Sequence, residues 1–341
     1  MSILVTGGAG YIGSHTCVAL IQAGYDVLIA DNFSNSCEAV IPRLEQVVGK
    51  PIPYERIELC DGAQVEDLFA RHSEIEAVIH FAGLKSVPES ISQPLTYYTN
   101  NLLSTLTLLK IMQQHSVKNF VFSSSASVYG DKTPAPVNED APVGNTKSPY
   151  ATTKAMQEQI ISDICAASDL NAVILRYFNP VGAHESGLIG EDPHGIPSNL
   201  VPYIALVAAG KQEKLRVYGD DYLTKDGTGI RDYIHIMDLA QGHVAALRKL
   251  EKDQGLFTYN LGTGKGYSVL DALHAYEKAC GKNIPYEVVA RREGDIEVSY
   301  ADAGKAEREL GWKAQYDLES MCYSSWNWQQ KNPDGYEKTG E

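Results

Sequence analysis

Thr6-Gly7-Gly8-Ala9-Gly10-Tyr11-Ile12-Gly13 stands directly after a β-branched run at residues 3–5 and directly before a helical pattern that Gly24 can end. Strand, glycine turn and helix in that order constrain a chain strongly, because the helix start points free backbone N–H groups at any anion the turn admits. The spacing is Gly-x-x-Gly-x-x-Gly. Gly7 permits the tight turn, Gly10 lets the backbone approach a pyrophosphate, and Gly13 lets the helix pack closely on the sheet. A glycine cluster alone is also what any tight turn needs. The second signal is Asp31, at the end of the next strand run, where a carboxylate can accept from ribose hydroxyls. No Arg or Lys lies between Asp31 and Ser36, so a 2′-phosphate would meet an uncompensated carboxylate. The expected dinucleotide is NAD rather than NADP.

Buried strand runs at 27–30, 77–81, 120–122 and 173–175 alternate with helical patterns through the first half. That alternation predicts an α/β fold, a Rossmann-type doubly wound parallel sheet, with a smaller mixed α/β lobe over its carboxyl edge. After residue 177 the texture turns to Gly, Pro and Asn-rich turns with isolated strands such as 215–218. We expect a dinucleotide domain at 1–178 and a substrate lobe at 179–341, with the chain free to cross back. The polar end 331–341 reads as a frayed tail.

The 341 residues carry 43 acidic and 29 basic side chains, a formal charge of −14. Such a balance repels nucleic acid and gives no basic anchor for a lipid surface, so a bound phosphate must be held by local groups. Six cysteines are scattered without Cys-x-x-Cys pairs, no run approaches the ~18 apolar residues of a membrane span, and the first strand begins near the first residue. The expected compartment is the cytoplasm, with reduced thiols.

Ser148-Pro149-Tyr150-Ala151-Thr152-Thr153-Lys154 sets a phenol and an ammonium four residues apart at the start of a helix. Ser148 can cap it, Pro149 suits its first position, and Ala155, Met156, Ile160 and Ile164 recur at helical spacing. A tyrosine acting as base at neutral pH needs about three units of depression, roughly 4 kcal/mol. A neighbouring Lys154 cation and the helix dipole act in that direction. Tyr-x-x-x-Lys alone occurs on any surface helix. His235, between Asp232 and Asp238, has no third ligand at metal-like spacing and reads as structural; no metal is expected.

Taken with His80-Phe81-Ala82-Gly83-Leu84-Lys85, the serine-rich run 123–130, Arg176 to Gly182 and Gly229 to Asp238, these motifs make the chain resemble the extended short-chain dehydrogenase/reductase family. The resemblance covers nearly the whole chain and is closest to the UDP-galactose (UDP-glucose) 4-epimerase branch. It implies tightly held NAD contacted by Gly7, Gly10, Tyr11, Ile12, Gly13, Asp31, Asn32, Asn35, Ser36, Phe81, Ala82, Gly83, Lys85, Asn100, Tyr150, Lys154 and Phe178. Asp61 and Gly62 would lie at the adenine, although Cys60 stands where the family usually has glycine. It further implies a homodimer through helices near 102–112 and 151–165.

The implied reaction oxidises carbon 4 of a UDP-hexose, turns the ketone over and reduces its other face. Tyr150 would take the 4-hydroxyl proton, Ser125 would hydrogen-bond that oxygen, and Lys154 would hold the nicotinamide ribose. Outside the family, Ser125 is one hydroxyl in a serine-rich strand end. Arg231 and Arg292 suit the diphosphate because guanidinium forks match phosphate oxygens. Asn179, Asn199 and Asp295 are implied sugar-nucleotide contacts.

In Arg291-Arg292-Glu293-Gly294-Asp295, the residue four beyond Asp295 is Ser299, where relatives restricted to glucose and galactose often carry tyrosine. The smaller side chain predicts acceptance of the 2-acetamido sugars UDP-N-acetylglucosamine and UDP-N-acetylgalactosamine, unless Tyr300 swings in. A nucleotide-sugar 4,6-dehydratase needs an acid near Ser125-Ala126-Ser127, and none stands there. A non-catalytic NAD sensor is the remaining alternative.

Overall fold

The computed structural model describes residues 1–131, 133–193, 195–292 and 295–336. Short apolar runs in the first half form β1 (Ser2–Thr6), β2 (Asp26–Asp31), β3 (Tyr54–Arg56), β4 (Ile75–His80), β5 (Asn119–Ser125) and β6 (Asn171–Tyr177). Between them run α1 (Tyr11–Gln22), α2 (Val40–Val48), α3 (Gly62–Arg71), α4 (Val87–Ser92), α5 (Pro94–Gln114) and α6 (Pro149–Ala167). The second half adds β7 (Asn179–Val181), α7 (Leu200–Ala208), β8 (Leu215–Tyr218), β9 (Ile230–Arg231), β10 (Tyr233–His235) and α8 (Ile236–Leu250). It ends with β11 (Leu256–Leu261), β12 (Tyr267–Ser268), α9 (Val269–Cys280), β13 (Tyr286–Val289), β14 (Val298–Ser299), α10 (Gly304–Leu310) and α11 (Leu318–Lys331).

The main sheet is parallel, in the order β11-β6-β5-β4-β1-β2-β3. Strand order reverses between β1 and β4, the switch point where such sheets open a crevice at their carboxyl edge. Alternation along β1 sends Ile3 and Val5 to the face covered by α1 and α8, and Leu4 to the face covered by α3 and α5. A further core under α7, α9 and α11 builds the smaller lobe.

The fold is the doubly wound sheet expected, with differences of detail. β11 crosses back from the second half and pairs with β6 from Leu256↔Ala172 to Leu261↔Tyr177. Its Thr258 and Asn260 interrupt the apolar run, and β3 is a short polar edge strand, so neither stands out in the sequence. Phe81 lies just beyond β4.

Within α6 the apolar residues share the inward face with polar ones: Ala155, Ile160 and Ile164 are partly buried against the core. Met156 is 44% exposed, whereas Ala151, Thr153, Lys154, Gln157, Glu158 and Ile161 are buried. Polar residues turn inward here because partners await them: β5 and β6 for Lys154 and Glu158, and Asn101 and Thr105 of α5 for Thr153 and Gln157.

Part of the segment expected to fray is packed. Asn332 and Tyr336 are buried, and Tyr336 packs 4.8 Å from Trp328 under the Arg43 guanidinium. Residues 337–341 of the expected tail lie outside the described residues. Among the described residues no helix is long and apolar enough to cross a membrane, and all six cysteines are free.

Candidate active site

At the glycine turn, Gly7 has φ +68° and a Cβ there would come 2.7 Å from the Ala82 nitrogen. Gly13 is needed more locally than helix-on-sheet packing suggests, since its Cβ would lie 2.2 Å from the Gly7 carbonyl oxygen. The spacing gives Gly8 no role, yet its Cβ would meet Val5 O at 2.9 Å and the Ile29 side chain at 3.0 Å. Gly10 precedes Tyr11 and Ile12 as the N-cap of α1, with no side-chain cap and no acidic residue in the first turn. A helix start left in this state presents backbone donors to an anion.

The Asp31 carboxylate accepts from Ala9 N at 3.0 Å, Phe33 N at 2.9 Å and Ser36 Oγ at 2.9 Å. Burial pushes its pKa up, against the pull of those bonds. Asn32 donates to Glu58 at 2.9 Å, and Asn35 is exposed. Arg56 reaches this loop from β3, 4.6 Å over the Phe33 ring, a cation that the local sequence does not reveal. It is paired to Glu38 at 2.5 Å. Asp61 caps α3, accepting from Ala63 N at 2.9 Å and Gln64 N at 3.3 Å, with Gly62 as the first helical residue.

The loop Phe81-Ala82-Gly83 after β4 is held by Asn101, a residue the sequence does not single out. Asn101 accepts from Leu84 N at 2.8 Å, donates to Leu84 O at 3.0 Å, and donates to Thr153 Oγ1 of α6 at 3.0 Å. Asn100 donates to Asn101 Oδ1 at 3.0 Å. The available signal was the Asn100-Asn101 pair within α5. Lys85 is exposed, 3.9 Å from Glu191. Tyr11 donates its hydroxyl proton to Gly182 O at 2.6 Å, tying the turn to the second lobe.

Ser148 caps α6 by accepting from Ala151 N at 3.3 Å, with Pro149 in the first turn as expected. Tyr150 and Ser125 meet: burial pushes the phenol pKa up, and a hydrogen bond with Ser125 opposes it. Ser125 caps the single turn Ala126–Tyr129 and accepts from Ser127 Oγ at 2.9 Å. Lys154 donates to Ser123 O at 2.8 Å and lies 4.7 Å over the Phe122 ring. Burial pushes its ammonium pKa down to about 8. Among the chain's own groups, burial outweighs the Ser125 hydrogen bond, so the phenol is raised rather than lowered. Tyr177, also missed, bonds Ser123 Oγ beside Tyr150.

Of the sugar-nucleotide candidates, Asn179, Arg231 and Ser299 gather around Asp232. Asn179 N donates to Asp232 O at 3.0 Å, Asp232 N donates to Ser299 O at 3.0 Å, and Ser299 pairs with Arg231 in register. The buried Asp232 carboxylate accepts from Thr263 N, Thr263 Oγ1, Gly264 N and Ala301 N at 2.6–3.1 Å. Arg292 reaches Asp295 at 3.4 Å and lies 4.9 Å over Tyr218, an exposed ring that could take a base. Tyr222 faces both Asp295 and Arg231. Glu293 and Gly294 lie outside the described residues. Tyr300, just beyond β14, packs over Gly266. Asn199 starts α7 next to Glu191. Phe178 is buried with Val128, Tyr129 and Ala301. His235 caps α8, bonds Ser324 at 3.0 Å and stacks on Tyr316 at 4.2 Å.

These residues fit a dinucleotide: backbone fills the Cβ positions of Gly7 and Gly13, α1 starts uncapped, and a carboxylate stands at the end of β2.

The family model described as GDP-mannose 4,6 dehydratase matches residues 4–324. UDP-glucose 4-epimerase of Bacillus subtilis is 55% identical over 337 residues, 98% of this chain and 99% of that one. The UDP-glucose 4-epimerase of Bifidobacterium longum, solved with NAD+ and UDP, superposes with a TM-score of 0.95 at 55% identity, covering 98% of this chain and 100% of that one. A UDP-Glc/GlcNAc 4-epimerase of Campylobacter jejuni superposes with a TM-score of 0.85 at 36% identity, covering 97% of this chain and 99% of that one. With sequence, fold and glycine turn in agreement, the chain belongs to the UDP-glucose 4-epimerases, within the wider family that the dehydratase model describes.

Proposed function

We propose that this chain interconverts UDP-glucose and UDP-galactose by inverting carbon 4 of the sugar, using NAD. The observation that carries this reading is the convergence of Tyr150, Ser125 and Lys154 at the carboxyl edge of the sheet, beside an open helix start. Bound NAD supplies a reversible hydride acceptor and, when oxidised, a positive charge. Tyr150 as phenolate takes the 4-hydroxyl proton and returns it after the sugar has turned. Ser125 steadies the sugar oxygen, and Lys154 holds the nicotinamide ribose. Because burial alone raises the phenol, Tyr150 depends on positive charge brought close to it.

The cofactor residues lie within 1–178, and 179–341 supplies the UDP contacts, although β11 completes the first sheet and α8 covers it. Asp31, Asn32, Asn35 and Ser36 face the adenosine ribose, and Arg231, Arg292, Asn179, Asn199 and Asp295 anchor the UDP. Ser299 leaves room for a 2-acetamido group, so the N-acetylated sugars are also substrates. The placement of Tyr300 over Gly266 and the named substrates of the Campylobacter relative support this breadth.

The exposed Leu103, Leu106 and Met156 of α5 and α6 support a homodimer formed through those helices. A charge of −14 and six unpaired thiols support a cytoplasmic setting.

Elimination of water is disfavoured, since Ser125-Ala126-Ser127 holds no carboxylate. The test is incubation of the purified protein with UDP-galactose, and separately UDP-N-acetylglucosamine, without added NAD, with products resolved by chromatography. Conversion of both is expected. No conversion of either would return the chain to a sensor or dehydratase, and conversion of UDP-galactose alone would remove the acetamido substrates.

A further inference from the structure

Tyr150, Lys154 and Glu158 stand four residues apart on α6 and share the face turned to the sheet. Glu158 is 5% exposed, and what it touches forms the wall of the site. Its carboxylate accepts the Ser124 hydroxyl at 2.5 Å. Arg176 on β6 reaches both oxygens, through Nε at 3.0 and 3.2 Å and Nη2 at 2.7 Å. Arg176 also donates to the Tyr129 hydroxyl at 3.0 Å, and Tyr129 donates to Asn260 of β11 at 2.7 Å. Ser124 immediately precedes Ser125, and Tyr129 closes the turn that Ser125 caps. Glu158 and Arg176 therefore grip the Ser125 segment from both ends. A buried ion pair adds little stability over apolar residues of equal volume, so its value lies in what its charge and geometry do there.

We infer that Glu158, held by Arg176, is a positioning residue for epimerisation: its carboxylate places a negative charge one helical turn from Lys154 and, through Ser124, fixes the Ser125 hydroxyl opposite Tyr150. This rests on the roles proposed above for Tyr150, Ser125 and Lys154. Facing Lys154 are Glu158 from α6, Ser123 O and the Phe122 ring from β5, and His80 from β4, while Arg176 and Tyr177 of β6 are bonded to Glu158 and to Ser123. Burial keeps His80 and Tyr177 neutral. Glu158 is the carboxylate that opposes the loss of the Lys154 proton.

The test is the alkaline limb of kcat for the NAD-loaded enzyme with UDP-galactose, in wild type, Glu158→Gln and Arg176→Met. Without the carboxylate Lys154 loses its proton sooner, so the limb moves to lower pH in Glu158→Gln. Its maximal kcat falls about 10²-fold, and KM stays within about threefold. Without the guanidinium the carboxylate acts unshielded, and the limb moves to higher pH in Arg176→Met. Both variants break the same pair, so loss of packing alone gives no shift or shifts of one sign, and either result overturns the inference. Should neither fold, Ser124→Ala, which keeps the ion pair, decides: kcat falls about tenfold at unchanged KM, and an unchanged kcat overturns the positioning role. Tyr150→Phe is the control. If that variant keeps wild-type turnover, the reading of the site has failed, whatever Glu158 does.

Discussion

The Asp31 carboxylate accepts the backbone N–H of Ala9 at 3.0 Å, joining the end of β2 to the glycine turn that precedes α1. The residue expected to receive ribose hydroxyls is thus also a brace for the phosphate turn. Asp31→Ala strands the Ala9 and Phe33 N–H groups and should cost about 1–3 kcal/mol in denaturant unfolding. The purified variant should also carry well under one NAD per chain, measured after acid release of the nucleotide. Full NAD content would refute the ribose role and leave only the brace.

The turn glycines should separate fold from cofactor retention. A Cβ at Gly13 would sit 2.2 Å from a carbonyl oxygen, so Gly13→Ala should lose about 3 kcal/mol or more. At Gly10 the nearest atom is 3.2 Å away. Gly10→Ala should melt near wild type yet lose bound NAD; equal melting temperatures for the two variants would contradict this.

Tyr150→Phe should lower kcat by about 10²–10⁴-fold while NAD stays bound, and Ser125→Ala should cost less. A larger loss in Ser125→Ala than in Tyr150→Phe would reverse the assigned roles.

Ser299→Tyr should reduce conversion of UDP-N-acetylglucosamine by at least about tenfold while turnover of UDP-galactose persists. Equal loss of both activities, or of neither, removes Ser299 as the size gate.

Burial pushes His15 and His80 down to about 3, and His235 and His243 down to about 4. These histidines stay neutral in the folded chain when an unfolded chain has begun to take up protons near pH ~6.5. The unfolded state then binds more protons, so stability falls as pH drops from 6.5 toward 4, by up to about 1.4 kcal/mol per histidine for each unit. Buried Asp31 and Asp232, whose pKa values burial raises, act in the opposite sense. The melting temperature should fall between pH 6.5 and 5, and less steeply in His80→Gln. An identical slope in the two proteins would show that His80 is not among the groups responsible.

What the sequence discloses is what neighbours along the chain can disclose. The glycine turn, Asp31 and the Ser148-capped helix carrying Tyr150 and Lys154 are each written within one or two turns of backbone. Asn101 bonds a residue 52 positions away, and Asp232 one 69 positions away, so their importance depends on folding. Arg56 reaches the loop after Asp31 only because β3 lies beside β2. Along α6 helical periodicity identified the helix but not its inward face, because partners on β5, β6 and α5 draw polar side chains in and leave Met156 outside.

The return of β11 to the edge of the main sheet sets a limit on dissection. A chain cut after Phe178 would leave the outer rim of β6 with its amide and carbonyl groups facing water, and would remove the helix α8 that shields the apolar layer beneath. The nucleotide-binding half is therefore no autonomous module: it cannot be excised, grafted or expressed alone, and mutations in the later half will reach its folding as directly as those in the first.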